Sequence, residues 1–288
     1  MSSIQKVGVV GCGLMGSGIA QVAAQSGRKT VVREVNDDFL KKGLSRIESF
    51  LAKAVEKGKM PAAEKDKVKG NLQGTTDLKA LADCDIVIEA VVENLDEKRK
   101  LFAELDRICK PSCLFSSNTS SLAIADMAAA TKRPDKFVGL HFFNPVPIMK
   151  LVEVVKAIGT SDETVAAAKA FGESLGKSPI VARDTPGFVV NLLLVPFLLD
   201  AIRAYESGVA TKEDIDQGMV LGCGHPMGPL TLLDFVGLDT TLYIADIMWK
   251  EFADARYAAP PLLRRMVAAG HHGKKSGRGF YDYAPAGK

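Results

Sequence analysis

Residues 8–18 read Gly-Val-Val-Gly-Cys-Gly-Leu-Met-Gly-Ser-Gly. Gly11, Gly13 and Gly16 form a GxGxxG run. An apolar stretch, Val7–Val10, precedes it, and Leu14–Ser26 follows with apolar and small residues at helical spacing. Strand, glycine turn and helix in that order predict the opening of a βαβ unit. Gly11 permits the tight turn, Gly13 lets the backbone approach a pyrophosphate, and Gly16 lets helix pack on strand. The helix start offers unpaired N–H groups and a partial positive charge to the phosphates. A second short strand, Thr30–Arg33, ends at Glu34, 18 residues beyond Gly16. A carboxylate at that distance accepts the ribose hydroxyls of NAD and repels the extra phosphate of NADP. Arg33 is expected to point to the opposite sheet face, because strand side chains alternate. Arg28 and Lys29 stand near enough to soften the preference. The competing reading is a glycine-rich surface turn followed by a solvated Glu.

The chain has 288 residues, 47% hydrophobic and 25% charged, which suits a globular protein of one large or two modest domains. A net charge of +3, with Lys and Arg dispersed and no aromatic-basic stripe, argues against a nucleic-acid partner. The first strand starts almost at the N-terminus, so no secretory signal is expected. The most apolar stretch, Phe188–Leu199, is about 12 residues long and contains Asn191 and Pro196. It is too short and too polar to span a bilayer and is predicted to be a buried helix, with no membrane partner. The five cysteines include no CxxC pair. Cys109 and Cys113 lack a second pair to complete a zinc site, so no metal is expected. Free core thiols in a reducing compartment, the cytoplasm or an organelle matrix, are the default.

Further β-rich runs are Asp85–Val91, Leu114–Ser117, Phe137–Phe142, Leu151–Val155 and Pro179–Ala182. They alternate with helical stretches at Asp38–Lys59, at Leu95–Cys109 (capped by Asn94) and at Asp162–Leu175. Such alternation predicts an α/β, Rossmann-like, doubly wound parallel sheet. The alternation stops near Thr185-Pro186-Gly187, and the remainder reads as helices. The expected organisation is therefore an NAD-binding domain, residues 1–184, and a smaller all-α domain, residues 185–288.

Of four histidines, only His141 stands at the end of a predicted strand in the α/β half, where open sheets hold ligands. Glu153 follows within Leu151-Val152-Glu153-Val154-Val155, an acid among apolar neighbours that needs a partner. Strand, turn and returning strand can bring Glu153 beside His141. Such a pair makes a base with a fixed tautomer. A core histidine satisfied by a structural carboxylate is the equal alternative. Asn118-Thr119-Ser120-Ser121 follows another strand end on that rim, and Ser121 is a candidate cap for the next helix. Asn191 is one amide among Val189, Val190, Leu192, Leu193 and Leu194. It either bonds another helix or faces the interdomain cleft. Lys53, Lys57, Lys59, Lys65, Lys67 and Lys69 form a basic run, either a solvated face or a holder of substrate phosphates.

Four segments beyond the glycine run carry a resemblance. They are Glu89-Ala90-Val91-Val92-Glu93-Asn94, Ser117-Asn118-Thr119-Ser120-Ser121-Leu122, Gly139–Pro147 and Asp184-Thr185-Pro186-Gly187-Phe188-Val189-Val190-Asn191. The chain resembles the short-chain L-3-hydroxyacyl-CoA dehydrogenases, including bacterial 3-hydroxybutyryl-CoA dehydrogenases, over nearly its whole length. The resemblance implies an NAD-dependent oxidoreductase interconverting (S)-3-hydroxyacyl-CoA and 3-ketoacyl-CoA, with 3-hydroxybutyryl-CoA and acetoacetyl-CoA as the expected pair. It makes His141 the general base, Glu153 its partner acid, and Ser120 and Asn191 catalytic-site residues near the 3-oxygen and the carbonyl. It places Gly11, Gly13, Leu14, Met15, Gly16, Glu34, Glu93, Lys98, Ser120, Asn144 and Lys275 at the cofactor, and Lys53 and Lys57 at coenzyme A. It also implies a cytoplasmic homodimer paired through the C-terminal domain. Glu34 stands where the family usually has Asp, so the ribose contact must be made by a longer arm. Two readings of other classes compete: an enzyme acting on free hydroxy acids or sugar acids, and a non-catalytic NAD(H)-binding module.

Overall fold

The computed structural model describes residues 4–283; the outermost residues of the two expected domains, 1–3 and 284–288, lie outside it. The chain divides between Thr185 and Pro186 into two units. In the first, strands β1 (Lys6–Val10), β2 (Lys29–Arg33), β3 (Leu72–Thr75), β4 (Ile86–Glu89), β5 (Leu114–Ser117), β6 (Phe137–Phe142), β7 (Leu151–Lys156) and β8 (Ser178–Arg183) form one sheet in the order β3-β2-β1-β4-β5-β6-β7-β8. Helices α1 (Leu14–Gln25), α2 (Asp37–Glu56), α3 (Ala62–Asn71), α4 (Leu95–Ile108), α5 (Ile124–Ala128) and α6 (Asp162–Ser174) connect the strands. The order reverses about β1, as in a doubly wound fold.

The sheet is parallel from β3 through β6, but β7 runs antiparallel to β6, and β8 is parallel to β7. The link between β6 and β7 is too short for a helical crossover, which takes a dozen residues or more, so the chain folds back as a hairpin. Helix α6 supplies the crossover that restores parallel pairing for β8. The parallel pairing expected from the alternation is interrupted at β7, which is the returning strand expected to bring Glu153 beside His141. Strand β3 was not foreseen. Its sequence, Leu-Gln-Gly-Thr, has one large apolar residue and sits at the sheet edge, so neither alternation nor an apolar run betrays it.

Local chemistry sets the helix starts. The Asn36 side chain accepts from Phe39 N–H and Asn94 from Glu97 N–H, and each cap is followed by two acids in the first turn. Helix α5 differs from expectation. Ser121 does not cap it; the Asp184 carboxylate accepts from Ile124 N–H and Ala125 N–H, each at 2.8 Å. One sheet face buries Val9, Ile19, Leu51, Ile88, Leu140 and Val154 among others. Elsewhere Phe102 of α4 sets its ring centroid 4.5 Å from Phe137 and 5.9 Å from Phe115.

The second unit is helical: α7 (Val190–Glu206), α8 (Lys212–Cys223), α9 (Pro229–Val236), α10 (Leu238–Phe252) and α11 (Pro261–Ala268). Its core gathers Leu198, Leu199, Ile202, Leu230, Leu233 and Met248. Asp234, at the end of α9, accepts from Phe280 N–H and Tyr281 N–H at 2.8 Å and so pins the tail to the bundle. Among the described residues no helix is long and apolar enough to cross a membrane.

Candidate active site

The glycine turn divides its work among three residues. Gly11 has φ +93°, and a Cβ there would lie 2.5 Å from the Ala90 carbonyl oxygen. A Cβ on Gly16 would lie 1.8 Å from the Gly11 carbonyl oxygen, so α1 can approach β1 this closely only with glycine. Gly13 has an ordinary φ of −67° and nothing within 4 Å of a built Cβ. Its missing side chain opens space in front of the first turn of α1, a cradle for a pyrophosphate. Leu14 and Met15 begin that helix.

Glu34 closes the other side of this cradle. Its Oε1 accepts from Cys12 N–H at 2.6 Å and its Oε2 from Val35 N–H at 2.9 Å. Glu34, Gly11 and Gly13 line a cavity of about 490 Å³ whose apolar walls include Phe39, Leu78 and Leu101. That lining suits an adenosine: a carboxylate for ribose hydroxyls, apolar surface for the base. Arg33, the last residue of β2, also lines this cavity. Burial and then the Glu34 charge push the Cys12 thiol up to about 11, against an opposing effect of Arg46, so it stays protonated at neutral pH.

Next along the carboxyl edge is a charged cluster. Lys98 is 1% exposed, and its Nζ stands 2.6 Å from Glu89 Oε1 and 3.0 Å from Glu93 Oε2. Glu89 also accepts from Val91 N–H at 2.7 Å and from the Ser117 hydroxyl at 2.6 Å. Thr119 and Ser121 donate to Glu93. The cluster therefore ties the ends of β4 and β5 to the start of α4. Ser120 lies in the loop so held and is half-buried. Asn118 accepts from Phe142 N–H at 2.9 Å, joining that loop to the end of β6.

Val10 pairs with Glu89, Glu89 with Ser117, and Ser117 with Gly139. These residues mark the carboxyl edge, and His141 lies two residues beyond Gly139, on the edge that carries the glycine turn. On β7, Glu153 is directly opposite. His141 Nδ1 is 2.6 Å from Glu153 Oε2, with Glu153 wholly buried and the imidazole 8% exposed. The Phe143 ring packs 4.5 Å from the imidazole centroid. A carboxylate at Nδ1 fixes the tautomer of the imidazole. The hairpin thus brings together the two residues that the sequence singled out.

The other expected site residues are described unit by unit along the chain. Asn144 is exposed beyond β6. Lys53 and Lys57 are exposed at the end of α2, while Lys65 and Lys69 pair with Glu48 at 2.7 and 2.9 Å. In the helical unit Asn191 lies in the first turn of α7, half-buried, and Lys275 pairs with Asp239 at 2.6 Å. Sequence reasoning gave Glu89 no role of its own. Glu89 carried the same signal as Glu153, an acid within an apolar strand.

The family model described as 3-hydroxyacyl-CoA dehydrogenase, NAD binding domain, matches residues 6–185, and that described as 3-hydroxyacyl-CoA dehydrogenase, C-terminal domain, matches residues 187–283. The chain belongs to the 3-hydroxyacyl-CoA dehydrogenase family. A curated 3-hydroxybutyryl-CoA dehydrogenase of Mycobacterium tuberculosis is 52% identical over 283 residues, 98% of this chain and 99% of the relative. The crystal structure of M. tuberculosis FadB2 superposes with a TM-score of 0.97 at 52% identity, covering 98% of this chain and 100% of that one. The (S)-3-hydroxybutyryl-CoA dehydrogenase PaaH1 from Ralstonia eutropha gives 0.95 at 45% identity, covering 98% and 100%. Within the family's two-domain pattern, the glycine turn and the His141–Glu153 pair both fall in the NAD-binding domain.

Proposed function

We propose that the protein interconverts (S)-3-hydroxybutyryl-CoA and acetoacetyl-CoA, with His141 as the general base and acid and Glu153 as its partner. As a family member with an NAD-binding domain, the protein is an NAD-dependent dehydrogenase. The observation that carries the finer reading is the buried 2.6 Å contact between His141 Nδ1 and Glu153 Oε2 on the sheet edge of the glycine turn. A module that only bound the cofactor would need no such pair.

NAD, held at the glycine turn and Glu34, would supply the hydride acceptor for C3 of the substrate. His141 Nε2 takes the proton of the 3-hydroxyl as the C3–O bond becomes a carbonyl, and the proton later passes to solvent. In reduction His141 returns that proton to the oxygen. Glu153 holds the ring through Nδ1–H, and its charge offsets that of the imidazolium. Ser120 bonds the 3-oxygen and Asn191 the thioester carbonyl. Glu93, Lys98, Asn144 and Lys275 hold the nicotinamide half of the cofactor, Lys98 by fixing Glu93. Lys53 and Lys57, exposed at the end of the helix that follows Glu34, meet the coenzyme A phosphates.

Two copies pair through the helical unit, a reading supported by its exposed Leu193, Leu221, Phe235 and Trp249. A cytoplasmic setting agrees with five cysteines that are all free thiols. The substrate class is tested by NADH oxidation with acetoacetyl-CoA against free acetoacetate. Binding energy from the coenzyme A portion should raise kcat/KM by on the order of 100-fold or more for the thioester. Equal values would transfer the assignment to a hydroxy-acid dehydrogenase.

A further inference from the structure

We infer that Lys177 is a positioning residue for the nicotinamide half of the cofactor, acting through the link between β6 and β7. The inference rests on the proposed role of Asn144, which lies in that link. Lys177 stands between α6 and β8. There Gly176 turns the chain with φ +73°, and Lys177 N–H donates to the Gly172 carbonyl at 3.1 Å. The residue is only 8% exposed. Its Nζ donates to the Val146 carbonyl and, at 2.8 Å, to the Met149 carbonyl. Burial holds this ammonium below the usual lysine range, and no charge among the described residues offsets it. An ammonium has three donors and no acceptor, and a buried one is costly unless its bonds are made. The two carbonyls supply those bonds. Movement of the link would strand a buried charge, a cost that an ordinary surface loop does not carry.

The opposite side of the link is fitted as closely. Val146 is buried, and a Cβ on Gly18 of α1 would lie 2.8 Å from Val146 Cβ. The link is thus seated between Lys177 and the helix whose first turn forms the pyrophosphate cradle. Its far end is tied where Ser178 N–H donates to the Lys150 carbonyl at 2.7 Å. Ile148 and Met149 are exposed, so Val146 and the two Lys177 bonds do the holding. What they hold is the β6 end of the link, Phe143 and Asn144. Phe143 packs on the His141 imidazole, and Asn144 is the residue read as a cofactor contact.

The test measures NADH binding by nicotinamide fluorescence and 5′-AMP binding by calorimetry, on the full chain. 5′-AMP reports the adenosine half alone. Lys177→Met should weaken NADH binding by about 10-fold or more, the worth of roughly one hydrogen bond, with 5′-AMP changed less than about 3-fold. Lys177→Arg keeps donors for both carbonyls and should bind NADH within about 3-fold of wild type. Gly18→Ala pushes on the link from the other side and should show the same split between NADH and 5′-AMP, which keeps the test open if Lys177→Met does not fold. Adding Lys177→Met to Asn144→Ala should cost less than about 3-fold beyond Asn144→Ala alone, because both act at one contact. Unchanged NADH affinity in Lys177→Met and Gly18→Ala, or equal losses toward NADH and 5′-AMP, would overturn the inference. So would additive losses in the double variant, or a loss in Lys177→Arg as large as in Lys177→Met. Wild-type NADH affinity in Asn144→Ala would overturn the reading of Asn144 and this inference with it. A weakened Asn144→Ala beside an unchanged Lys177→Met would overturn the inference alone.

Discussion

At the scale of single residues, the three glycines of the turn make different demands, and substitution separates them. Gly13→Ala places a methyl where no protein atom lies within 4 Å and where φ is −67°. Its melting temperature should match the wild type, while NADH affinity falls by about 10-fold or more as the methyl enters the pyrophosphate cradle. Gly16→Ala drives a methyl to 1.8 Å from the Gly11 carbonyl and should lower stability and binding together. Calorimetric melting with an NADH titration on each variant checks both. An unchanged NADH affinity in Gly13→Ala would move the cofactor elsewhere. The tight turn at Gly11 and the close packing at Gly16 were legible in the sequence because they depend on backbone geometry alone. Glu89 was passed over. Its cation, Lys98, sits on the following helix, and nothing in the strand itself announces that partner.

Among the elements, the junction of β1 and β4 is held by Asp85, which accepts from Gln5 N–H and Lys6 N–H at 2.8 Å and pairs with Lys110 at 2.5 Å. Burial pushes its carboxyl up, but Lys110 and the two backbone N–H groups together outweigh burial and hold it below the usual carboxylate range. A carboxylate depressed in the folded state stabilises above its unfolded value, near 4, and loses that contribution as pH falls through its folded value. Asp85→Ala should cost roughly 1–3 kcal/mol at pH 7 by leaving two strand N–H groups and an ammonium without their acceptor. The difference from wild type in urea midpoint should shrink below about pH 4, where the wild type loses its carboxylate. A pH-independent difference would remove the charge from the explanation. Most strands and helices were legible from apolar runs and caps, including the Asn94 cap. The reversal at β7 was legible as the returning strand that carries Glu153, because the link after β6 is too short for a crossover helix. Strand β3 stayed hidden because sheet pairing, not its own residues, makes it a strand.

On the scale of the molecule, the α/β unit and the helical unit divide at the change of pattern visible near Thr185. Pairing of two copies through the helical unit predicts a sedimenting species of twice the chain mass at micromolar concentration, and a monomer there would contradict it. The proposed chemistry rests on a smaller arrangement, an imidazole held by a carboxylate on the edge of the sheet that carries the glycine turn. The most direct measurement is the rate of acetoacetyl-CoA reduction by His141→Ala at saturating NADH, with NADH affinity determined in parallel. The account predicts a loss of at least about 100-fold in kcat, the lower range for general acid–base catalysis, with NADH affinity within about 3-fold of wild type. A kcat within 10-fold of wild type at unchanged NADH affinity would mean that the proton moves through another group, and the pair would be structural.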